Sequence, residues 1–207
     1  MKKGILLSIV FILIVSLCTF VNAYSTSNYS FDVPSTWKEL GGAGIFRDSS
    51  GNSVNVQVSK FTGDAGNPYT EEMLNEIVDE IKNDDDSSLK CKSIDTKEIT
   101  TCTKNNYKCF HIIANYEMSY ADYYCNQYGI VSGNEFYVIT LSAEEKEEFE
   151  SSEMKNIVDS FTIKNYQEPK SGPSILTWTL IGAGVGAVIG GLTYFLGRNK
   201  NNSSLNG

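Results

Sequence analysis

Few side chains of this 207-residue chain could do covalent or acid–base chemistry. His111 is the single histidine, two residues from Cys109 on a stretch that reads as a β-strand, so the two would share a face. A Cys–His pair of that kind activates a thiolate only if the cysteine is reduced and reachable. The cysteine count argues otherwise. Cys91, Cys102, Cys109 and Cys125 form an even set in an acidic segment that reads as exported, which favours two disulfides over free thiols. Their spacings of 11, 7 and 16 lack the close pairs of a zinc site. A hairpin turn at Asn105-Asn106 would set Cys102 directly across from Cys109, and a turn near 119–122 would leave Cys125 out of reach of Cys109. The expectation is Cys102–Cys109 with Cys91–Cys125; Cys91–Cys102 with Cys109–Cys125 is the alternative. No Gly-x-Ser-x-Gly elbow or histidine pair at helical spacing accompanies them, so neither catalysis nor a cofactor or metal is expected.

Tyrosine is the densest unusual feature: Tyr107, Tyr116, Tyr120, Tyr123, Tyr124, Tyr128 and Tyr137 fall within 31 residues. Tyrosine fills half-buried sheet faces well. It also gives contact area at low entropic cost, and Tyr120, Tyr123 and Tyr124, beside an expected loop, are the candidates for binding a protein or glycan partner. The run Asp84-Asp85-Asp86 reads as a solvated helix end rather than a cation site.

Charge and two apolar segments place this domain. Of 17 basic residues, two lie in 1–23 and two in 174–207, leaving 13 against all 25 acidic ones between them. A surface so acidic repels phosphate backbones, which argues against a nucleic-acid role. Lys2, Lys3, the apolar run Ile5–Phe20 and Val21-Asn22-Ala23 read as a signal peptide over 1–23, with the mature chain beginning at Tyr24. Residues 174–196 carry no charge and could span about 30 Å as a helix, with Arg198 and Lys200 keeping the 197–207 tail cytoplasmic. The expected topology is single-pass in the cell membrane, N-terminal domain outside. Gly182, Gly186 and Gly190 recur every four residues and offer a flat face for self-association or another helix. Glu168-Pro169-Lys170-Ser171-Gly172 before this span resembles a cell-wall sorting signal, but Glu168 stands where that signal has leucine; a plain linker over 166–173 is the alternative.

Residues 24–165 are long enough for one folded unit. Tyr29–Val33 reads as a strand stopped by Pro34, and Ile45–Arg47 with Val54–Ser59 as a hairpin about residues 48–52. Thr70 caps a helix whose apolar face is Met73, Leu74, Ile77, Val78 and Ile81. Strands then follow at 99–103, 107–118, 123–131 and 135–141. Ser142 with Glu145 reads as a capping box opening a last helix. The pattern predicts an α+β fold, an antiparallel β-sheet covered by helices, plus one C-terminal transmembrane helix.

The opening Ser30–Lys38 (SFDVPSTWK), Val54–Lys60, Glu135–Glu145 and Ile157–Lys164 resemble, in order, the PsbP-like superfamily. That resemblance implies an α/β/α sandwich and, since its members are mostly binders or assembly factors, a non-enzymatic role. The four cysteines and the C-terminal span depart from it. Together the readings suggest a membrane-anchored extracytoplasmic module that recruits an envelope protein, or alternatively an exported small-ligand or metal binder.

Overall fold

The computed structural model describes residues 21–41, 44–60, 66–83, 90–117 and 122–169. The signal run 1–20, Asp84–Asp86, Tyr120 and everything from 170 onward, with the expected span and Gly182, Gly186 and Gly190, lie outside them. Among the described residues no helix is long and apolar enough to cross a membrane.

Strands β1 (Val21–Ser25), β2 (Tyr29–Pro34), β3 (Lys38–Leu40), β4 (Ile45–Arg47) and β5 (Ser53–Lys60) precede helix α1 (Glu71–Asn83). After it come β6 (Lys90–Cys102), β7 (Tyr107–Glu117), β8 (Asp122–Ser132) and β9 (Glu135–Ala143). A 3-10 turn (Lys146–Glu150), α2 (Ser152–Ser160) and β10 (Thr162–Ile163) close the fold. The strands form an antiparallel seven-stranded sheet of order β3-β4-β5-β9-β8-β7-β6 and a small sheet β1-β2-β10.

Each face of the large sheet has its own core, because alternate residues of a strand point opposite ways. On one face Ile139 and Leu141 of β9 and Val54 of β5 meet Phe31 of β2 and Ile157 and Phe161 of the closing segment. On the other, Phe110, Ile112 and Ala114 of β7 and Val138 of β9 meet α1. Thr70 Oγ1 accepts from Met73 N–H at 3.2 Å, so the expected cap forms. The five apolar residues expected on α1 are all buried, each worth about 1.5–3 kcal/mol relative to exposure. The result is layered as predicted: α1, the large sheet, then the small sheet with α2.

Two expectations need correction, and two segments read as lying outside the domain make contacts with it. Ser142 is no cap: it lies inside β9, 1% exposed, and the cap of the last α-helix stands nine residues later, where Ser151 Oγ accepts from Met154 N–H. The apolar alternation of β9 runs on through Ala143 and outweighs the capping pattern. Strand β6 begins at Lys90, well before residue 99, because its charged alternation marks an edge strand with one wet face. Val21–Ala23, read as the end of a signal, pair with Pro34, Val33 and Asp32, so cleavage after Ala23 would leave only Tyr24 and Ser25 of β1. Tyr166–Pro169, read as linker, packs on the domain: Gln167 N–H donates to Ser132 Oγ at 2.9 Å, and Gly133 N–H donates to Gln167 O at 3.0 Å.

Candidate functional site

The four thiols are free. The turn between β6 and β7 holds four residues, Thr103–Asn106, with positive φ at Thr103 (65°) and Asn106 (55°). Cys102 therefore pairs with Tyr107, and Cys109 with Thr100. Cys102 and Cys109 are not directly across as expected but diagonal on one face, within the same core. The neighbouring Cys109 thiol and burial push the Cys102 thiol far above its usual range. The strand order does not bring Cys91 beside Cys125. Cys91 pairs with Tyr116 and Cys125 with Ala114, so β7 stands between them and their Cα atoms are on the order of 10 Å apart, beyond the ~7 Å a disulfide tolerates. The alternative Cys109–Cys125 bridge fails too, because the two face opposite cores. Burial pushes the Cys125 thiol up to about 12, beside Ser142 Oγ at 3.6 Å.

His111 is held on every side. Its Nδ1 lies 2.8 Å from Glu98 Oε1, its Nε2 lies 3.0 Å from Asn126 Oδ1, and its ring stacks on Tyr128 at 4.6 Å and 3°. A base with both nitrogens engaged and one face covered has no lone pair aimed at a substrate. Among the described residues no group of three His, Cys, Asp or Glu could hold a metal.

The tyrosines expected to form one surface part company. Tyr123 is 5% exposed, and its hydroxyl donates to Gly51 O at 2.9 Å, so it is an internal strut and no contact residue. Burial pushes its hydroxyl pKa up to about 12. Tyr124 points the other way and is half-buried against the core. Alternation alone forces this: adjacent strand residues cannot share a face. Tyr123 closes an end of the sheet already tied by Asp48. Its Oδ1 accepts from Gly51 N–H (2.7 Å) and Asn52 N–H (2.9 Å), and its Oδ2 from Asn52 Nδ2 (3.0 Å).

The opposite end holds a groove of about 460 Å³. The β7–β8 ladder stops at Phe110–Gly129, and beyond it Tyr69 enters beside β8, its hydroxyl accepting from Val131 N–H at 2.9 Å. A Cβ on Gly129 would sit 2.7 Å from Phe136 Cζ, so the packing under this end requires glycine. Tyr107 forms a second wall, its hydroxyl accepting from Ile163 N–H at 3.2 Å. Tyr166 lies over Tyr107 with ring centroids 4.5 Å apart, and Lys108 Nζ stands 5.3 Å over the Tyr69 ring. Asn67, Asn106 and Glu168 complete the rim. Sequence reading missed this site, apart from Asn105-Asn106 as a turn. Its walls come from three segments, 67–69, 105–108 and 166–169, and no local period connects them.

A family model described as PsbP matches residues 19–163. The solution structure of cyanobacterial PsbP (CyanoP) from Synechocystis is similar over 70% of this chain and 93% of its own, at 15% identity and a TM-score of 0.50. At that identity the likeness is one of fold. LpqN of Mycobacterium tuberculosis, a protein involved in cell envelope biogenesis, is similar over 70% of this chain and 90% of its own, at 17% identity and a TM-score of 0.44. No curated protein matches this chain.

Proposed function

This chain belongs to the PsbP family, and we propose that it is a non-catalytic accessory domain that recruits a protein partner outside the cell membrane. The observation that carries the reading is the commitment of its reactive side chains. His111 is bonded at both nitrogens and stacked, while Cys102, Cys109 and Cys125 are buried. Groups consumed by the fold serve stability and leave recognition to surfaces. In this proposal residues 174–196 tether the domain as a single-pass helix, and Gly182, Gly186 and Gly190 give that helix a packing face. Recruitment falls to the β7–β8 end, through Tyr124 and Tyr120.

In-cell crosslinking, mild detergent extraction and mass spectrometry test it. A stoichiometric partner is expected, reduced about tenfold in the Tyr120→Ala/Tyr124→Ala variant at unchanged thermal stability. Recovery of the chain alone, or of a partner indifferent to both tyrosines, overturns the recruiting surface. Release from membranes by alkaline carbonate overturns the tether.

A further inference from the structure

We propose that the groove between Tyr69, Tyr107 and Tyr166 is a binding site for a neutral oligosaccharide, separate from the surface that recruits the protein partner. Its walls are rigid before any ligand arrives. Tyr69 and Tyr107 are 6% and 7% exposed, and each hydroxyl is tied to a backbone N–H of another element. Only Tyr166 stays half-buried, resting on Tyr107. Tyr166 lies over Tyr107 and Lys108 over Tyr69, so the half-buried Tyr166 ring, backed by these fixed walls, is the aromatic face left to serve as a platform.

Around that platform stand polar groups that the fold leaves unused. Among the described residues the Asn67 and Asn106 carboxamides, the Glu168 carboxylate and the Tyr166 hydroxyl form no hydrogen bond or ion pair, and Lys108 meets only the Tyr69 ring. Asn105 differs: its Nδ2 donates to Phe161 O at 3.3 Å and Thr162 Oγ1 at 3.1 Å, so it braces the turn. A carboxamide supplies donor and acceptor side by side, the match for a pair of neighbouring hydroxyls. One ammonium and one carboxylate cancel, so the groove sets no net charge against a ligand although the domain around it is strongly acidic. A pyranose ring has this complementary form, with an apolar C–H face and a rim of hydroxyls that both donate and accept. A phosphate-bearing ligand would find one cation beside one anion. The volume lies within the ~300–1,000 Å³ of ordinary ligand sites and suits a short saccharide rather than a globular surface.

The test titrates the full chain, solubilised in mild detergent, with chitotriose and maltotriose, neutral trisaccharides with and without acetamido groups, followed by calorimetry. Trialanine and inorganic phosphate are run beside them. Saturable binding of at least one trisaccharide is expected, with Kd on the order of 1 mM or tighter. Tyr166→Ala and Asn67→Ala should each weaken it about tenfold while leaving the melting temperature in place, and Tyr166→Phe should keep most of it. Tyr124→Ala should bind the sugar as the natural chain does, so loss of partner recruitment and loss of sugar binding are read independently. Absence of saturation by either sugar, equal or better binding of trialanine or phosphate, or sugar binding indifferent to Tyr166→Ala overturns the proposal.

Discussion

At one end of the seven-stranded sheet Tyr123 is sealed inside, its hydroxyl bonded to Gly51, beneath a turn whose N–H groups are gathered by Asp48. At the other end Tyr166 lies half-open on Tyr107, beside carboxamides and charges that bond to nothing in the described protein. Both ends are built from tyrosine, asparagine and acidic residues. They differ in where the polar atoms point. At the Asp48 end the Gly51 and Asn52 N–H groups, the Asn52 carboxamide and the Tyr123 hydroxyl all meet acceptors inside the domain, so these groups hold strands together. At the Tyr166 end the ring hydroxyls of Tyr69 and Tyr107 are tied down, while the rim is left for something else. Composition does not separate a strut from a site; hydrogen-bond partnership does.

Substitution of the same residue type at the two ends breaks or sharpens this contrast most directly. Tyr123→Ala should cost about 3–5 kcal/mol, through a cavity and the loss of one of the two donors to the Gly51 carbonyl, which keeps only Arg47 Nε at 3.2 Å, whereas Tyr166→Ala should cost less than about 1 kcal/mol. Urea unfolding of both variants measures it, and equal losses would abolish the distinction. Next in size is Asp48→Ala, which strands the Gly51 and Asn52 backbone N–H groups and leaves the Asn52 carboxamide only its longer bond to Glu148. A loss of about 1–2 kcal/mol is expected, against no more than about 0.5 kcal/mol for Glu168→Gln across the sheet.

A further effect is alkaline. Burial holds the Tyr123 hydroxyl neutral until about pH 12, while in the unfolded chain it ionises near its ordinary value of 10.0. Its contribution is whole below pH 10, falls as pH rises further and is gone above about 12. Tyr29 and Tyr128, each pushed up to about 12 by burial, add to the same window. Stability measured from pH 9 upward should therefore fall less steeply in Tyr123→Phe than in the natural chain. Identical slopes would mean that Tyr123 is not sealed.

Much of the fold is legible in the sequence. The β4–β5 hairpin, the Thr70 cap and all five buried residues of α1 follow from neighbours in sequence, and so do strands β7, β8 and β9. The misreadings share one cause. The Ser142 capping pattern was locally valid, yet pairing of β9 with β5 and β8 kept that residue in the sheet. Asn105-Asn106 did mark a turn, but Thr103 with its positive φ lengthened it and slid Cys109 two residues off Cys102. Of the candidate sites, the tyrosine cluster was seen as a cluster, while its division between two faces and the groove at the far end were not.

By itself the amino-acid sequence determined the acidic charge, the apolar segments at 5–20 and 174–196, the alternations that make strands and the family-like order of motifs, because each is a property of residues close along the chain. The tertiary structure alone decided that β7 separates Cys91 from Cys125, that Tyr123 is interior while Tyr166 is not, and that three distant segments meet around one groove. Those outcomes depend on which strand lies between two others and on the register at which they pair, and both are set by burying two cores at once on opposite faces of a single sheet.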